Sequence, residues 1–194
     1  ERDAKLGGLL RYGIPDFKLD KSVIDRRLKI MEDEGITFKP NTHVGDNYDV
    51  EELKAFDAVV LTGGATQRRG LPIPGADAKG VVQAMEFLKN NNQVVDNLKE
   101  LSTELSAEGK NVSVIGGGDT GSDCVGTSNR HGAKSVTNFE IMPMPSNSRT
   151  NQNPWPYWPF TLKTSSSHEE GVNRNWSIST KEFIKDKDGN LKGL

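Results

Sequence analysis

Four glycines fall within six residues in Gly116-Gly117-Gly118-Asp119-Thr120-Gly121. The spacing Gly116-x-Gly118-x-x-Gly121 suits a turn that receives a pyrophosphate. Gly116 would permit a sharp exit from a strand. Gly118 lacks a Cβ, so a phosphate could approach the backbone there. Gly121 would let the following helix pack close to the strand. A helix beginning at this turn presents free N–H groups and a partial positive charge to an anion. Asp119 and Thr120 open that helix, and Thr120 could cap it or donate to a phosphate. Glu140 supplies an acid about 20 residues further on, where the next strand should end. A carboxylate there accepts hydrogen bonds from adenosine ribose hydroxyls and repels a 2′-phosphate. Glu140 therefore favours NADH over NADPH, a preference that Arg149 or another nearby cation could reverse.

The elements that must position these groups are legible around them. Asn111 to Ile115 reads as a strand, Thr120 to about Arg130 as a helix and Ser135 to Phe139 as a second strand, together a βαβ unit. Val81 to Lys89 and Val94 to Leu105 read as two helices interrupted by Asn90-Asn91-Asn92. Upstream, Gly7-Gly8 opens an irregular stretch through Pro15. A helix with Asp20 or Ser22 as N-cap then runs to about Gly35. Ile36 to Phe38 reads as a short strand and Glu51 to Ala55 as a short helix. Phe56 to Thr62 has the length and apolarity of a buried parallel strand and ends in Gly63-Gly64. Gly70 to Gly75 carries two prolines and two glycines, the composition of a linker. Trp176 to Leu194 reads as strand, Asp188-Gly189-Asn190 turn and strand.

The expected fold class is α/β: a Rossmann-like, three-layer nucleotide-binding domain with a parallel sheet, preceded by part of a second nucleotide-binding domain. The boundary is placed between residues 74 and 75.

Composition narrows the function classes. A hydrophobic fraction of 34% and a charged fraction of 27% suit a soluble globular protein. With a formal net charge of −2, nothing points to nucleic acid or a membrane surface. No apolar run approaches the ~20 residues of a membrane span. Glu1-Arg2-Asp3 opens the chain with charge and no apolar core follows, so no signal peptide is expected. The one cysteine, Cys124, cannot form an internal disulfide, a CxxC pair or a zinc or iron–sulfur site by itself. A reducing, cytoplasmic location is expected. Cys124 is expected to pack helix against sheet. His43, His131 and His168 lack metal-ligand spacing, and His131-Gly132 reads as a helix end. The run Pro154-Trp155-Pro156-Tyr157-Trp158-Pro159 reads as a stiffened loop whose aromatics cover the domain's own core, with an interface for a partner subunit or a nicotinamide–flavin junction as the other reading. No catalytic side chain and no metal ligand is assigned.

Leu6 to Pro15, Thr62-Gly63-Gly64-Ala65-Thr66, Gly116 to Asp123 and Asn153 to Pro159 occur in an order and spacing that resembles the small subunit of glutamate synthase. The resemblance spans nearly the whole chain. It implies two intertwined nucleotide-binding domains, an FAD domain split in sequence and an NAD(P)H domain inserted within it. It further implies hydride transfer from NAD(P)H to FAD. Electrons then pass through 4Fe-4S clusters, held outside this chain, to a large subunit that makes glutamate from glutamine and 2-oxoglutarate. By this resemblance Glu1 matches the acid that holds the FAD ribose. Gly7 and Gly8 match the turn beside the flavin nucleotide. Gly63 and Gly64 match the glycines where the chain leaves the FAD domain. Gly116, Gly117, Gly118, Asp119, Thr120, Gly121 and Glu140 match the nicotinamide-nucleotide site.

The family's FAD-pyrophosphate turn would precede Glu1, and its closing FAD segment would follow Leu194. The resemblance therefore implies that this chain alone does not hold FAD. Two other readings stay open: the electron-input part of a dihydropyrimidine dehydrogenase-like flavoenzyme, and a non-catalytic nucleotide-binding module. Thioredoxin reductase is disfavoured because its CxxC is absent.

Overall fold

The computed structural model describes residues 1–65 and 67–194; Thr66, the last residue of the Thr62-to-Thr66 motif, lies outside the described residues. The chain divides into two compact units, Glu1–Gly70 and Leu71–Leu194.

In the first unit a one-turn helix, α1 (Gly8–Tyr12), is followed by α2 (Lys21–Asp33). Asp20 caps α2 by accepting the Ser22 N–H at 2.8 Å, and hydrogen bonds from the Ser22 hydroxyl and N–H hold its carboxyl below the usual range. Gly35, at φ 96°, follows the end of α2 in the left-handed conformation. The stretch read as irregular is thus partly helical, and two buried cations hold it. Arg11 donates through Nε to the Leu6 carbonyl at 2.7 Å and pairs with Asp25. Lys21 donates through Nζ to the carbonyls of Leu10 and Ile14. Gly7, at φ 122°, lies against this pair of helices. A Cβ placed there would come within 3.1 Å of Ile24 Cγ2 and 3.2 Å of Arg11 Cβ.

The two strands expected in this unit are not formed. Ile36 to Phe38 has no ladder, and Phe56 to Thr62 is irregular, with Val60 81% and Leu61 87% exposed. A strand needs a partner for its N–H and C=O groups. Among the described residues of this unit, the only bridge joins Val44 to Tyr48. The helix at 51–55 is a 3₁₀ turn, Val50–Ala55, capped by Asp49.

In the second unit α3 (Ala84–Val95) runs unbroken through Asn90-Asn91-Asn92 and ends at Asp96, so the expected second helix over 94–105 is absent. The asparagines do not interrupt the helix because they serve tertiary contacts. Asn90 and Asn92 are buried, and Asn91 Oδ1 meets His131 Nε2 at 3.0 Å. Three parallel strands follow: β1 (Asn111–Ile115), β2 (Ser135–Phe139) and β3 (Asn173–Asn175), in the order β1-β2-β3. Helix α4 (Asp119–Arg130) connects β1 to β2, and the one-turn α5 (Ser166–Glu169) precedes β3. Register pairs Asn111 with Ser135 and Ile115 with Phe139.

The core lies on one face of this sheet. Leu88 of α3, Val114 of β1, Cys124 and Val125 of α4 and Val136 of β2 form one buried cluster. Helix α4 packs on β1 and β2, with α3 and α5 against α4. Arg130 of α4 binds Glu170 through both guanidinium nitrogens, at 2.5 and 2.9 Å. On the other sheet face Asn111, Ser113, Ile115 and Ser135 are exposed within this chain, while Thr137 and Phe139 are half-buried. Parallel connection through a helix packed on the sheet makes the unit α/β and Rossmann-like.

The strand pair β4 (Ile184–Lys185) and β5 (Leu191–Gly193) closes the unit. Asp186 shapes its turn by accepting from the Asn190 side-chain amide and from the N–H groups of Asn190 and Asp188, which hold its carboxyl below the usual range. The end of the segment read as a linker is fixed rather than loose. Phe183 N–H donates to the Pro74 carbonyl at 2.9 Å, and a Cβ on Gly75 would lie 2.1 Å from the Phe183 oxygen.

Candidate functional site: the glycine turn at the start of α4

The turn from β1 into α4 shows three different glycine requirements. Gly116 adopts φ 112°, a conformation that strains any L side chain, while its N–H donates to the Phe139 carbonyl at 2.8 Å. A Cβ on Gly121 would lie 2.2 Å from the Gly116 carbonyl oxygen, so α4 approaches β1 more closely than any side chain allows. A Cβ on Gly118, in contrast, would meet nothing within 4 Å. Gly118 is the N-cap of α4, and no side chain caps the helix; Thr120 does not do so. The first N–H groups of an α-helix lack intrahelical partners. Gly118, Asp119 and Thr120 are exposed, so this helix end faces solvent with open space beside Gly118. Such a surface fits a pyrophosphate.

Glu140, just past β2, meets this turn directly. Its Oε2 accepts the Gly117 N–H at 2.7 Å and its Oε1 accepts the Met142 N–H at 2.9 Å. The structure thus brings Gly116 to Gly121 and Glu140 together. Each carboxylate oxygen has further lone pairs for hydroxyl donors. Arg149, raised as a cation that could reverse the coenzyme preference, is engaged by its own loop. It donates to the Tyr157 carbonyl at 2.7 Å and stacks on Trp155 at 5.9 Å.

One residue of the site escapes the sequence reading. Asn138 is buried in β2, and its Nδ2 donates to the carbonyls of Val114 at 3.0 Å and Gly116 at 2.9 Å. The available signal was a polar residue at a core-facing position, two residues from Val136 in the strand alternation.

The first-unit residues are less convergent. Glu1 accepts the Asp3 N–H at 3.0 Å and lines a cavity of about 480 Å³ with Leu6, Lys39, Thr42, Val44 and Tyr48. Gly8, at φ 49°, has open space beside it. Gly63 and Gly64 also meet nothing, on an exposed irregular segment, and do not line the Glu1 cavity.

Cys124 is buried, and burial, reinforced by Asp123, pushes its thiol up to about 12, so it is a packing residue. His131 ends α4 beside Gly132, as its helix-end pattern suggests. Among the described residues no group of His, Cys, Asp and Glu could hold a metal, and no helix is long and apolar enough to cross a membrane. The aromatic loop corrects one expectation: Trp155, Tyr157, Trp158 and Phe160 are 64–81% exposed and do not cover the core. Local bonds hold the loop instead. The Phe160 N–H donates to Asn153 Oδ1 and the Leu162 N–H to the Ser146 carbonyl.

A parallel β1–α4–β2 unit, an uncapped glycine-lined helix start and an acid after β2 define a dinucleotide-binding domain of the oxidoreductase type. Residues 29–192 match the family model described as pyridine nucleotide-disulphide oxidoreductase, and the chain belongs to that family. It is 52% identical over its whole length to a glutamate synthase [NADH] of Schizosaccharomyces pombe, of which it covers 10%. It is 49% identical, again over its whole length, to a glutamate synthase [NADPH] small chain of Mycobacterium tuberculosis, of which it covers 41%. The chain therefore spans well under half of either relative. Its fold is similar to that of the M. tuberculosis oxidoreductase FprA in complex with NADPH, with a TM-score of 0.57 and 25% identity. That match covers 73% of this chain and 36% of FprA.

Proposed function

We propose that the chain is the nicotinamide-nucleotide-receiving part of the electron-input side of glutamate synthase. In this reading Leu71–Leu194 binds NAD(P)H through Gly116 to Gly121 and Glu140. Glu1–Gly70 contributes Glu1, Gly7, Gly8, Gly63 and Gly64 to an FAD domain completed elsewhere in the protein. The observation that carries it is the 52% and 49% identity, over the full chain, to proteins named glutamate synthase. The open Gly118 at an uncapped helix start supports the nucleotide role.

The chain's own residues bind and orient. The α4 N-terminus stabilises the pyrophosphate charge, and Glu140 fixes the adenosine ribose. Bound flavin supplies the hydride-accepting chemistry, so no acid or base from this chain is required. The partner is the large subunit, which receives the electrons through 4Fe-4S clusters and forms glutamate from glutamine and 2-oxoglutarate, in the cytoplasm.

The test is oxidation of NADH and NADPH by the full-length protein with its large subunit. Oxidation that requires both glutamine and 2-oxoglutarate is expected. Oxidation that proceeds without them, through other acceptors only, would favour a different flavin-dependent reductase.

A further inference from the structure

We propose that Asn138 is a positioning residue for dinucleotide binding: together with Glu140 it clamps the Gly116–Gly117 peptide and so sets the phosphate-binding turn. The proposal rests on the dinucleotide reading of this site.

The Gly116 carbonyl and the Gly117 N–H are the two polar groups of one peptide unit. Asn138 Nδ2 donates to that carbonyl at 2.9 Å, and Glu140 Oε2 accepts from that N–H at 2.7 Å. Positions 138 and 140 are two apart, so both side chains leave the β2 path on the same face. The peptide is therefore held at both polar groups, by Asn138 of β2 and by Glu140 just past its end. Asn138 also donates to the Val114 carbonyl at 3.0 Å, tying the same amide to the last turn-ward residues of β1.

Such a device answers a specific problem. Gly116 and Gly117 have no side chains to restrict rotation, and glycine loses more conformational freedom on ordering than any other residue. A turn that a ligand must order binds it more weakly than one already ordered. The peptide between these glycines lies immediately before Gly118, where the open space is. Gly121 fences the same carbonyl from the helix side, since a Cβ there would come within 2.2 Å of it. Packing alone does not call for an amide at position 138. Val136, at the equivalent core-facing position, is apolar and buried, and an unbonded buried amide would cost stability. Asn138 is only 3% exposed and acts on the ligand through the peptide it holds.

The experiment uses the full-length protein carrying Asn138→Leu, Asn138→Asp or Gly117→Ala. Leu removes the donor from the core; Asp keeps the shape but, as a carboxylate, cannot donate to either carbonyl. Gly117→Ala loosens the clamp from outside the core, because its Cβ would lie 2.6 Å from Glu140 Oε2. Two probes are titrated in competition with NADH: ADP-ribose, which carries the pyrophosphate, and adenosine, which does not. The unfolding midpoint is measured in parallel. All three variants are expected to bind ADP-ribose about tenfold more weakly, ~1.4 kcal/mol, with unchanged stoichiometry, and the two Asn138 variants to keep an adenosine Kd within about twofold of wild type. Wild-type affinity for ADP-ribose at reduced stoichiometry, or with only a lowered unfolding midpoint, would make Asn138 a packing residue and overturn the proposal. Equal losses for both probes would place its effect on the adenosine side and also overturn it. Failure of the wild type to bind ADP-ribose or NADH would instead refute the dinucleotide reading itself.

Discussion

Two segments of this chain carry the same sequence pattern, an apolar strand-length run followed by glycines. Val112 to Ile115 leads into Gly116, and Phe56 to Thr62 leads into Gly63-Gly64. The first is a strand paired in register with β2, and its turn is bound by Asn138 and Glu140. The second is irregular and exposed, and its glycines meet nothing within 4 Å. Side-chain pattern sets what a segment can bury, but a strand also needs a neighbouring backbone. β1 finds one within about 20 residues, delivered by a helix that packs on both strands. In the first unit no described segment offers Val59 to Leu61 a ladder.

The sharpest test of that contrast compares two leucines. Leu88→Ala, at a position 1% exposed, should cost about 3 kcal/mol in chemical denaturation. Leu61→Ala, at 87% exposure, should stay within about 0.5 kcal/mol in this chain. A cost at Leu61 comparable to that at Leu88 would show that the segment is buried in solution.

The glycines should diverge next. Gly121→Ala places a Cβ 2.2 Å from a backbone oxygen and should cost about 2 kcal/mol while weakening NADH binding. Gly63→Ala should leave stability nearly unchanged. Equal effects from the two substitutions would remove the distinction between a packed and an open glycine turn.

A smaller effect is expected at Glu140. Glu140→Gln keeps an acceptor for Gly117 but removes the charge that opposes a 2′-phosphate. The ratio of NADPH to NADH affinity should rise by about tenfold, ~1.4 kcal/mol, in paired titrations. An unchanged ratio would mean that Glu140 shapes the turn without selecting the coenzyme.

The smallest expected effect is a pH dependence of the second unit through His131. Its Nδ1 accepts the Ala107 N–H at 3.3 Å and its ring packs edge-on against Phe87, so burial holds its pKa below the usual 6.5. The neutral ring is favoured by folding, so this contribution is complete above pH 6.5. It is lost as pH falls from 6.5 toward the lowered folded value. Urea midpoints of wild type should fall over that window more steeply than those of His131→Gln. Parallel slopes would remove His131 from the account.

Much of the second unit was legible because its signals are local. β1, α4 and β2 fall within two residues of their expected limits, and the glycine spacing states its own geometry. The α3 region was misread because Asn90 to Asn92 look like a helix breaker in isolation. The side chains of Asn90 and Asn91 are instead used by Ser102 and His131, partners 12 and 40 residues away. The aromatics of 155–160 were misassigned for the converse reason: apolarity suggests burial, but the loop's own hydrogen bonds fix it without the core.

Sequence alone carried the expectation of a dinucleotide ligand. Glycines at 116, 118 and 121 and an acid at 140 specify a turn without Cβ atoms, an open helix start and a carboxylate after the second strand, and those properties belong to residue types and spacing. Tertiary structure decided which apolar run became a strand and which polar side chains hold the turn. Strand formation depends on a partner backbone, and the clamp by Asn138 and Glu140 depends on register between β1 and β2. Neither quantity is encoded in any single segment of the chain.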